Sequence, residues 1–172
     1  MADPPVDTGK LTDSALRALA EAAGTLLLAQ RRRVATAESC TGGWVAKCLT
    51  DIPGSSRWFE RGYVTYSNLS KEQAIAVSGE VITTFGAVSR PVAEQMAAGA
   101  LHVSGADLAV AITGIAGPEG GSADKPVGLV WLALASRSGP PIAQRNQFVG
   151  DREAIRRAAV AAALKLLVAA QL

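Results

Sequence analysis

The chain has 172 residues, of which 49% are hydrophobic and 19% charged, and it carries a formal net charge of +2. This length suits one compact domain with a real core, and this composition excludes an intrinsically disordered chain. Apart from a triplet at 31–33, the arginines are scattered along the sequence. A broad basic face is therefore excluded, and we expect no nucleic-acid partner.

The two ends of the chain bear on targeting and on membrane association. Residues 1–10 are polar and contain two prolines, which predicts a disordered tail rather than a signal region, with the domain spanning 11–172. The apolar stretch 158–172 is interrupted by Lys165 and is shorter than the roughly 20 residues of a bilayer span. It predicts a buried helix and no membrane partner.

The inventory of metal-ligating residues is small. The sequence has one histidine, His102, and two cysteines, Cys40 and Cys48, that are eight residues apart. A zinc site needs four ligands, or three and a water, so we expect no metal and no cofactor. Two cysteines in a chain that begins without an apolar leader predict free thiols and a cytoplasmic protein.

Helices and strands alternate along most of the sequence. Helical spacing, capping residues and β-rich runs predict, in chain order, helix 11–30, strand 34–37, helix 44–49, strand 59–66, helices 68–77 and 89–103, strands 108–112, 128–135 and 143–149, and a closing helix that begins after Asp151. The early strands have helical crossovers, whereas the last two follow each other directly. We therefore expect an α/β fold with three layers, α/β/α, in which helices cover both faces of a mixed sheet.

Ser39 lies in the most informative segment of the sequence. An apolar strand runs into a tight polar turn at 38–43 and then into a helix, so the serine is expected at the mouth of the sheet. Thr41, Gly42 and Gly43 offer backbone N–H groups without bulk, which a substrate oxygen could approach. The sequence equally allows Ser39 to be a simple helix cap.

A serine nucleophile needs a base, and the sequence offers two kinds. His102 lies within a predicted helix and is more typical of a structural histidine. Lys71 follows Tyr66 by five residues, and both are expected near the end of a strand. A lysine serves as a base only if its pKa falls well below its ordinary value of about 10.4, which requires a dry site or a nearby cation. Read by themselves, Lys71 also fits a solvated helix surface and Tyr66 a half-buried position in a strand.

Two further segments predict polar ligand contacts. The glycine-rich run at 113–121 suits a ligand-wrapping loop, an oxyanion hole or a plain connection, and Thr113, Gly114 and Gly117 are its candidate contacts. Arg152, with Arg156 one turn later, follows the predicted cap of the closing helix. A guanidinium there could hold a phosphate, or it could simply be solvated.

Taken in order, these segments resemble the C-terminal domain of the CinA family. The resemblance covers residues 12–170 and rests on the motifs TAESCTGG at 36–43, PGSS at 53–56, GYVTYSN at 62–68 with Lys71, GAVS at 86–89, TGIAGP at 113–118 with Gly120 and Gly121, KPVG at 125–128, and GDR at 150–152. Such an ordered series is specific.

The resemblance implies an amidohydrolase that converts nicotinamide mononucleotide into nicotinic acid mononucleotide and ammonia, in pyridine-nucleotide salvage. It implies that Ser39 is the nucleophile and that Tyr66 and Lys71 assist it. The N-terminal nucleotide-hydrolysing domain of the larger family members does not fit in this length. Apart from the small-molecule substrate, the apolar composition predicts a homo-oligomer as the one other partner.

Two other functions remain open at the level of sequence. A non-catalytic module could bind the pyridine nucleotide in connection with competence or DNA damage, as the family name suggests. A tyrosine near a lysine is also typical of short-chain dehydrogenases, but those need Tyr-x-x-x-Lys, and here four residues separate Tyr66 from Lys71. An oxidoreductase is therefore disfavoured.

Overall fold

The fold was analysed in a computed structural model that describes residues 11–170, so the predicted tail at 1–10 lies outside the described residues. Five strands form its centre: β1 (Val34–Glu38), β2 (Phe59–Val64), β3 (Leu108–Gly114), β4 (Leu129–Ser136) and β5 (Gly139–Gln147). Six helices surround them: α1 (Asp13–Ala29), α2 (Trp44–Thr50), α3 (Asn68–Ile75), α4 (Gly79–Phe85), α5 (Arg90–Ser104) and α6 (Arg152–Ala169).

The sheet is mixed, with strand order β2-β1-β3-β4-β5. β1 pairs in parallel with both β2 and β3, whereas β4 and β5 continue the sheet antiparallel. At the end of β1, Glu38 lies opposite Val64 on one side and Ile112 on the other. The carboxyl ends of three parallel strands therefore meet at one edge, which is where open α/β sheets bind their ligands.

Helices cover both faces of the sheet, as the sequence predicts. On one face α1, α2 and α6 pack over large side chains such as Val110, Ile112 and Leu132, with Trp58 buried among them. On the other face α5 lies over alanines, which let the helix approach the strands closely: Ala35, Ala37, Ala109, Ala111, Ala133 and Ala135. The predicted three-layer α/β/α architecture is confirmed.

The structure differs from the sequence prediction in two elements. Helix α4, seven residues capped by the Ser78 side chain, was not predicted, because so short a segment shows little periodicity. β5 begins at Gly139 rather than 143 and so includes Pro140 and Pro141. Proline is tolerated there because β5 is an edge strand, whose outer N–H groups have no strand to bond.

Two smaller predictions concern the thiols and the closing helix. Cys40 and Cys48 are free thiols, as predicted, and the structure shows that both are buried. No helix among residues 11–170 is long and apolar enough to cross a membrane. Helix α6 begins, as predicted, directly after its cap Asp151, whose side chain accepts a hydrogen bond from the Ala154 amide.

Candidate active site

A cleft of about 280 Å³ lies where the three parallel strands end. The chain that leaves β1 contributes Ser39, the chain that leaves β2 contributes Tyr66 and then Lys71 on α3, and the end of β3 leads into the glycine-rich loop. The cleft is lined by Ser39, Cys40, Tyr66, Lys71, Ala87, Val88, residues 113–117, Glu119, Gly120 and Arg152. The topology thus brings together segments that are more than 100 residues apart.

Lys71 is the buried base candidate in this cleft. Its side chain is 1% exposed, and its Nζ lies 3.2 Å from Ser39 Oγ, 2.8 Å from the Thr65 carbonyl oxygen and 3.3 Å from the Tyr66 carbonyl oxygen. Burial lowers the pKa of Lys71, because desolvation disfavours the charged ammonium. The dry site that the sequence argument required is therefore present.

These three contacts define what the Lys71 amine can do chemically. A neutral amine has two N–H donors and one lone pair. If the two carbonyls of Thr65 and Tyr66 take the two N–H groups, the lone pair is directed at Ser39 Oγ. The arrangement suits removal of the serine proton by lysine.

Tyr66 contributes two different groups to the cleft. Its carbonyl helps to hold Lys71, whereas its side chain is 60% exposed and its hydroxyl accepts a hydrogen bond from Arg152 Nη2 at 3.1 Å. Arg152 Nη1 also donates to the Gly117 carbonyl at 2.7 Å. The phenol and the guanidinium therefore lie together at the mouth of the cleft, and the phenol is not hydrogen-bonded to Ser39 or Lys71.

The end of β3 and the loop that follows it form one wall of the cleft. Thr113 is buried, and its hydroxyl donates to the Ala87 carbonyl at 2.8 Å, so it holds the neighbouring wall in place. Gly114 packs so closely on β4 that a Cβ would lie 2.7 Å from a methyl group of Val130. Within residues 11–170 the N–H groups of Ala116 and Gly117 have no acceptor. They remain available to a ligand.

Glu38, which the sequence analysis did not single out, organises the turn that carries Ser39. Its carboxylate is fully buried. Oε2 accepts hydrogen bonds from the Thr41 hydroxyl at 2.7 Å and from the Gly43 and Val45 amides at 3.0 Å, and Oε1 accepts from the Ala46 amide at 2.8 Å. A carboxylate here satisfies the free N–H groups at the start of α2. The signal in the sequence was a charged residue in an otherwise apolar strand.

The two glycine amides of the turn already have hydrogen-bond acceptors within the turn. The Gly43 N–H donates to Glu38, and the Gly42 N–H donates to the Ser39 carbonyl at 3.0 Å. Thr41, Gly42 and Gly43 lie outside the Ser39 cleft and line a separate cavity of about 670 Å³ beside Trp44. The structure thus does not bring these three predicted substrate contacts together with Ser39.

Cys40 follows Ser39 and lines the same cleft. Its N–H donates to no other residue within the described part of the chain, and its one polar neighbour is the thiol of Cys40 itself. Burial raises the pKa of its thiol to about 12, so the sulfur is protonated at neutral pH and does not compete as a nucleophile. What Cys40 offers to a substrate is its backbone N–H.

The remaining predicted groups lie elsewhere. Arg156 does not face the cleft: it donates to backbone carbonyls of the turn and lines the larger cavity. His102 is exposed in the last turn of α5 and is not part of the cleft lining. Among residues 11–170, no three His, Cys, Asp or Glu side chains converge on a point that could hold a metal ion.

Comparison with known proteins matches the sequence of this chain to one family. The model of the CinA C-terminal domain matches residues 16–170. Over 157 residues, 91% of this chain and 95% of the relative, the sequence is 57% identical to the nicotinamide-nucleotide amidohydrolase PncC of Escherichia coli strain K12. A CinA-like protein of Geobacter sulfurreducens is 53% identical over 134 residues, but these represent 78% of this chain and 32% of that longer protein.

A solved structure agrees with the sequence matches. The competence/damage inducible protein CihA from Agrobacterium tumefaciens superimposes with a TM-score of 0.88 at 49% identity, over 92% of this chain and 95% of that one. The family match covers most of the chain, and both sequence and fold support it. The chain belongs to the CinA C-terminal domain family.

Proposed function

We propose that this protein hydrolyses the carboxamide of nicotinamide mononucleotide to give nicotinic acid mononucleotide and ammonia, and so feeds pyridine-nucleotide salvage. The substrate class comes from the amidohydrolase named among its relatives. The observation that carries the chemistry is the 3.2 Å contact between Lys71 Nζ and Ser39 Oγ in a cleft where the lysine is buried. No cofactor or metal enters the proposal.

The reaction follows from these two side chains. Neutral Lys71 takes the Ser39 proton as Oγ attacks the carboxamide carbon, and the carbonyl electron pair moves onto oxygen. The tetrahedral intermediate collapses with cleavage of the carbon–nitrogen bond, and the lysine ammonium donates its proton to the leaving nitrogen to give ammonia. Lysine then takes a proton from water, and the resulting hydroxide adds to the ester carbon. The carbon–Oγ bond breaks, the lysine ammonium returns its proton to Ser39 Oγ, and the acid, the serine hydroxyl and the neutral lysine are released.

The oxyanion would be stabilised by backbone N–H groups that face no other acceptor. Three amides are candidates. The Cys40 amide lies directly after the nucleophile, and the Ala116 and Gly117 amides belong to the opposite wall. An amide directly after the nucleophile is the donor that hydrolases with a serine in a strand–turn–helix corner also use. The sequence offered two sources of oxyanion donors, the turn at 41–43 and the 113–117 loop. Because the Gly42 and Gly43 amides already have acceptors, we favour the loop.

The rest of the substrate would lie at the mouth of the cleft. A volume of about 280 Å³ is small beside the roughly 300–1,000 Å³ of typical ligand pockets, so it suits the nicotinamide ring better than the whole nucleotide. Arg152 and the Tyr66 phenol are then placed to meet the ribose phosphate. Tyr66 assists Lys71 through its carbonyl and the substrate through its hydroxyl.

Replacing the nucleophile tests the proposal. Ser39→Ala should lower kcat for ammonia release by several powers of ten and leave the Kd for the nucleotide within a few-fold, because the binding groups remain. Ser70→Ala is the matched control: this serine adjoins Lys71 in sequence, but its hydroxyl only donates to the Ser67 carbonyl, so its kcat should stay near that of the wild type.

The same measurements exclude the alternatives. If Ser39→Ala kept more than about a tenth of the wild-type kcat, the serine would not be the nucleophile, because a tenfold loss corresponds to only ~1.4 kcal/mol. If the wild-type protein bound the nucleotide but released no ammonia, it would be the non-catalytic binding module.

A further inference from the structure

Arg156 reaches the segment directly after Ser39 from a different layer of the fold. It lies on α6, 116 residues further along the chain, and its Nε donates to the Cys40 carbonyl at 3.0 Å. Its Nη2 donates to the Thr41 carbonyl, also at 3.0 Å, and its guanidinium carbon lies 5.4 Å from the centre of the Trp44 ring. One planar cation thus holds two consecutive carbonyls.

These contacts fix the backbone of Cys40 at both of its ends. The peptide unit that carries the Cys40 N–H is held through the Ser39 carbonyl, which accepts from the Gly42 amide. The next peptide unit is held through the Cys40 carbonyl by Arg156. Because a peptide unit is planar, the direction of the Cys40 N–H follows that of the Ser39 carbonyl, and the Arg156 contact restricts rotation of the next peptide unit about the Cys40 Cα.

The direction of Arg156 argues against a phosphate ligand. Its bonded nitrogens donate to main-chain oxygens, and it lines the cavity on the far side of the turn rather than the cleft that holds Ser39. Arg152, one helical turn earlier, is the arginine in the cleft. The two arginines of the closing helix therefore serve different sites.

We propose that Arg156 is a positioning residue, which aligns the Cys40 N–H for the oxyanion of the transition state. This inference rests on the proposed amidase function and extends it to a side chain that does not touch the substrate. Preorganised N–H donors stabilise an oxyanion only when they are held rigidly, so a clamp on the carbonyl of the same residue should act on kcat and not on substrate binding.

Arg157 provides a matched control on the same helix. Its guanidinium carbon lies 4.9 Å from the centre of the same Trp44 ring, so both arginines cover that indole. Arg157 bonds to the carboxylates of Asp13 and Glu153 and to no carbonyl of the turn. A variant at Arg157 therefore removes a neighbouring cation and its packing without releasing Cys40.

The experiment compares Arg156→Ala, Arg156→Lys and Arg157→Ala by kcat, KM and melting temperature. Arg156→Ala should lower kcat by about 10- to 100-fold, somewhat less than the loss of a whole oxyanion donor, with KM within about threefold. The kcat of Arg156→Lys should lie between those of the wild type and Arg156→Ala, because one ammonium does not span two carbonyls. Arg157→Ala should keep kcat within about threefold. Added guanidinium ion should raise kcat of Arg156→Ala alone.

The outcomes separate this inference from the function it rests on. A wild-type protein that releases no ammonia overturns the proposed function itself. With an active wild type, equal kcat losses in Arg156→Ala and Arg157→Ala, or a raised KM at unchanged kcat, overturn the positioning role alone. If Arg156→Ala does not fold, Arg156→Lys decides: a kcat within threefold of the wild type overturns the proposal, and a larger kcat loss at unchanged KM supports it.

Discussion

The proposed role of Lys71 depends on the surroundings of its side chain. Its ammonium would have only neutral partners, two carbonyls and a hydroxyl, and no carboxylate hydrogen-bonds to it in the described part of the chain. A carboxylate partner would favour the charged form, whereas burial among neutral acceptors disfavours it. A lysine in solvent would be protonated at neutral pH and could not accept the serine proton.

The first residue-scale prediction is a pH profile. Because neutral Lys71 is the active form, kcat/KM should fall about tenfold per pH unit below the pKa of Lys71, and it should level off above it. Burial lowers that pKa, so the pH at which kcat/KM levels off should lie below the ordinary lysine pKa of about 10.4. Steady-state rates between pH 5 and 10 measure it, and a profile without such a limb would contradict the assignment of Lys71 as base.

A second residue-scale prediction concerns Arg152 and the phosphate. Arg152→Ala should raise KM for nicotinamide mononucleotide much more than for the unphosphorylated riboside, because only the former presents a phosphate to a guanidinium at the mouth of the cleft. The riboside is the control within the same variant. Equal effects on both substrates would mean that Arg152 only ties Tyr66 to the Gly117 loop.

At the scale of elements, β1, its turn and α2 form one unit around Glu38. The carboxylate closes the free start of a helix of only seven residues and at the same time fixes the turn that carries Ser39. The helix cap Gly43 has φ of 93°, a left-handed conformation that favours glycine. A short helix of this kind depends on its cap, since it has few internal hydrogen bonds.

Glu38→Gln tests this unit. An amide keeps the shape but removes the charge and directs an NH₂ donor at backbone N–H groups, so we expect a loss of about 1.5–3 kcal/mol in the free energy of unfolding. Chemical denaturation measures this loss. Glu21→Gln is the control, because Glu21 forms an exposed surface pair with Arg17 on α1 and should cost under about 1 kcal/mol. Similar losses in the two variants would refute the role of Glu38.

At the scale of the whole molecule, the sheet topology assembles the site. Two parallel connections bring the ends of β1, β2 and β3 to one edge, and α6 returns across the sheet to supply Arg152 and Arg156. Among the exposed apolar side chains, Val64, Tyr66 and Leu69 lie in or just after the edge strand β2. The homo-oligomer expected from composition stays a prediction.

Metal independence is the prediction at this scale. The proposed reaction uses lysine and backbone N–H groups, and residues 11–170 bring no set of three metal-ligating side chains together. Ammonia release should therefore be unchanged after dialysis against EDTA, with a zinc hydrolase treated in parallel as the control. Inactivation by the chelator with recovery on adding zinc would contradict the mechanism.

The amino-acid sequence by itself determined the local structure. The cap at Asp151, the apolar strand β1 and the strand–turn–helix around Ser39 depend on neighbours in the chain, and the structure confirms them. Ser39 and Lys71, named as candidates from the sequence, lie within hydrogen-bond distance of each other. Residue chemistry and short-range geometry were sufficient to name these candidates, and the family resemblance implied their roles.

Only the tertiary structure decided how the polar groups are paired. The sequence did not reveal that Glu38 engages the Gly43 amide, that Arg156 holds the Cys40 carbonyl, or that the Tyr66 hydroxyl meets Arg152. Hydrogen bonds are short and directional, so a partner is set by where distant segments lie in space rather than by spacing along the chain. The lowered pKa of Lys71 has the same origin, because desolvation depends on everything that packs around the amine.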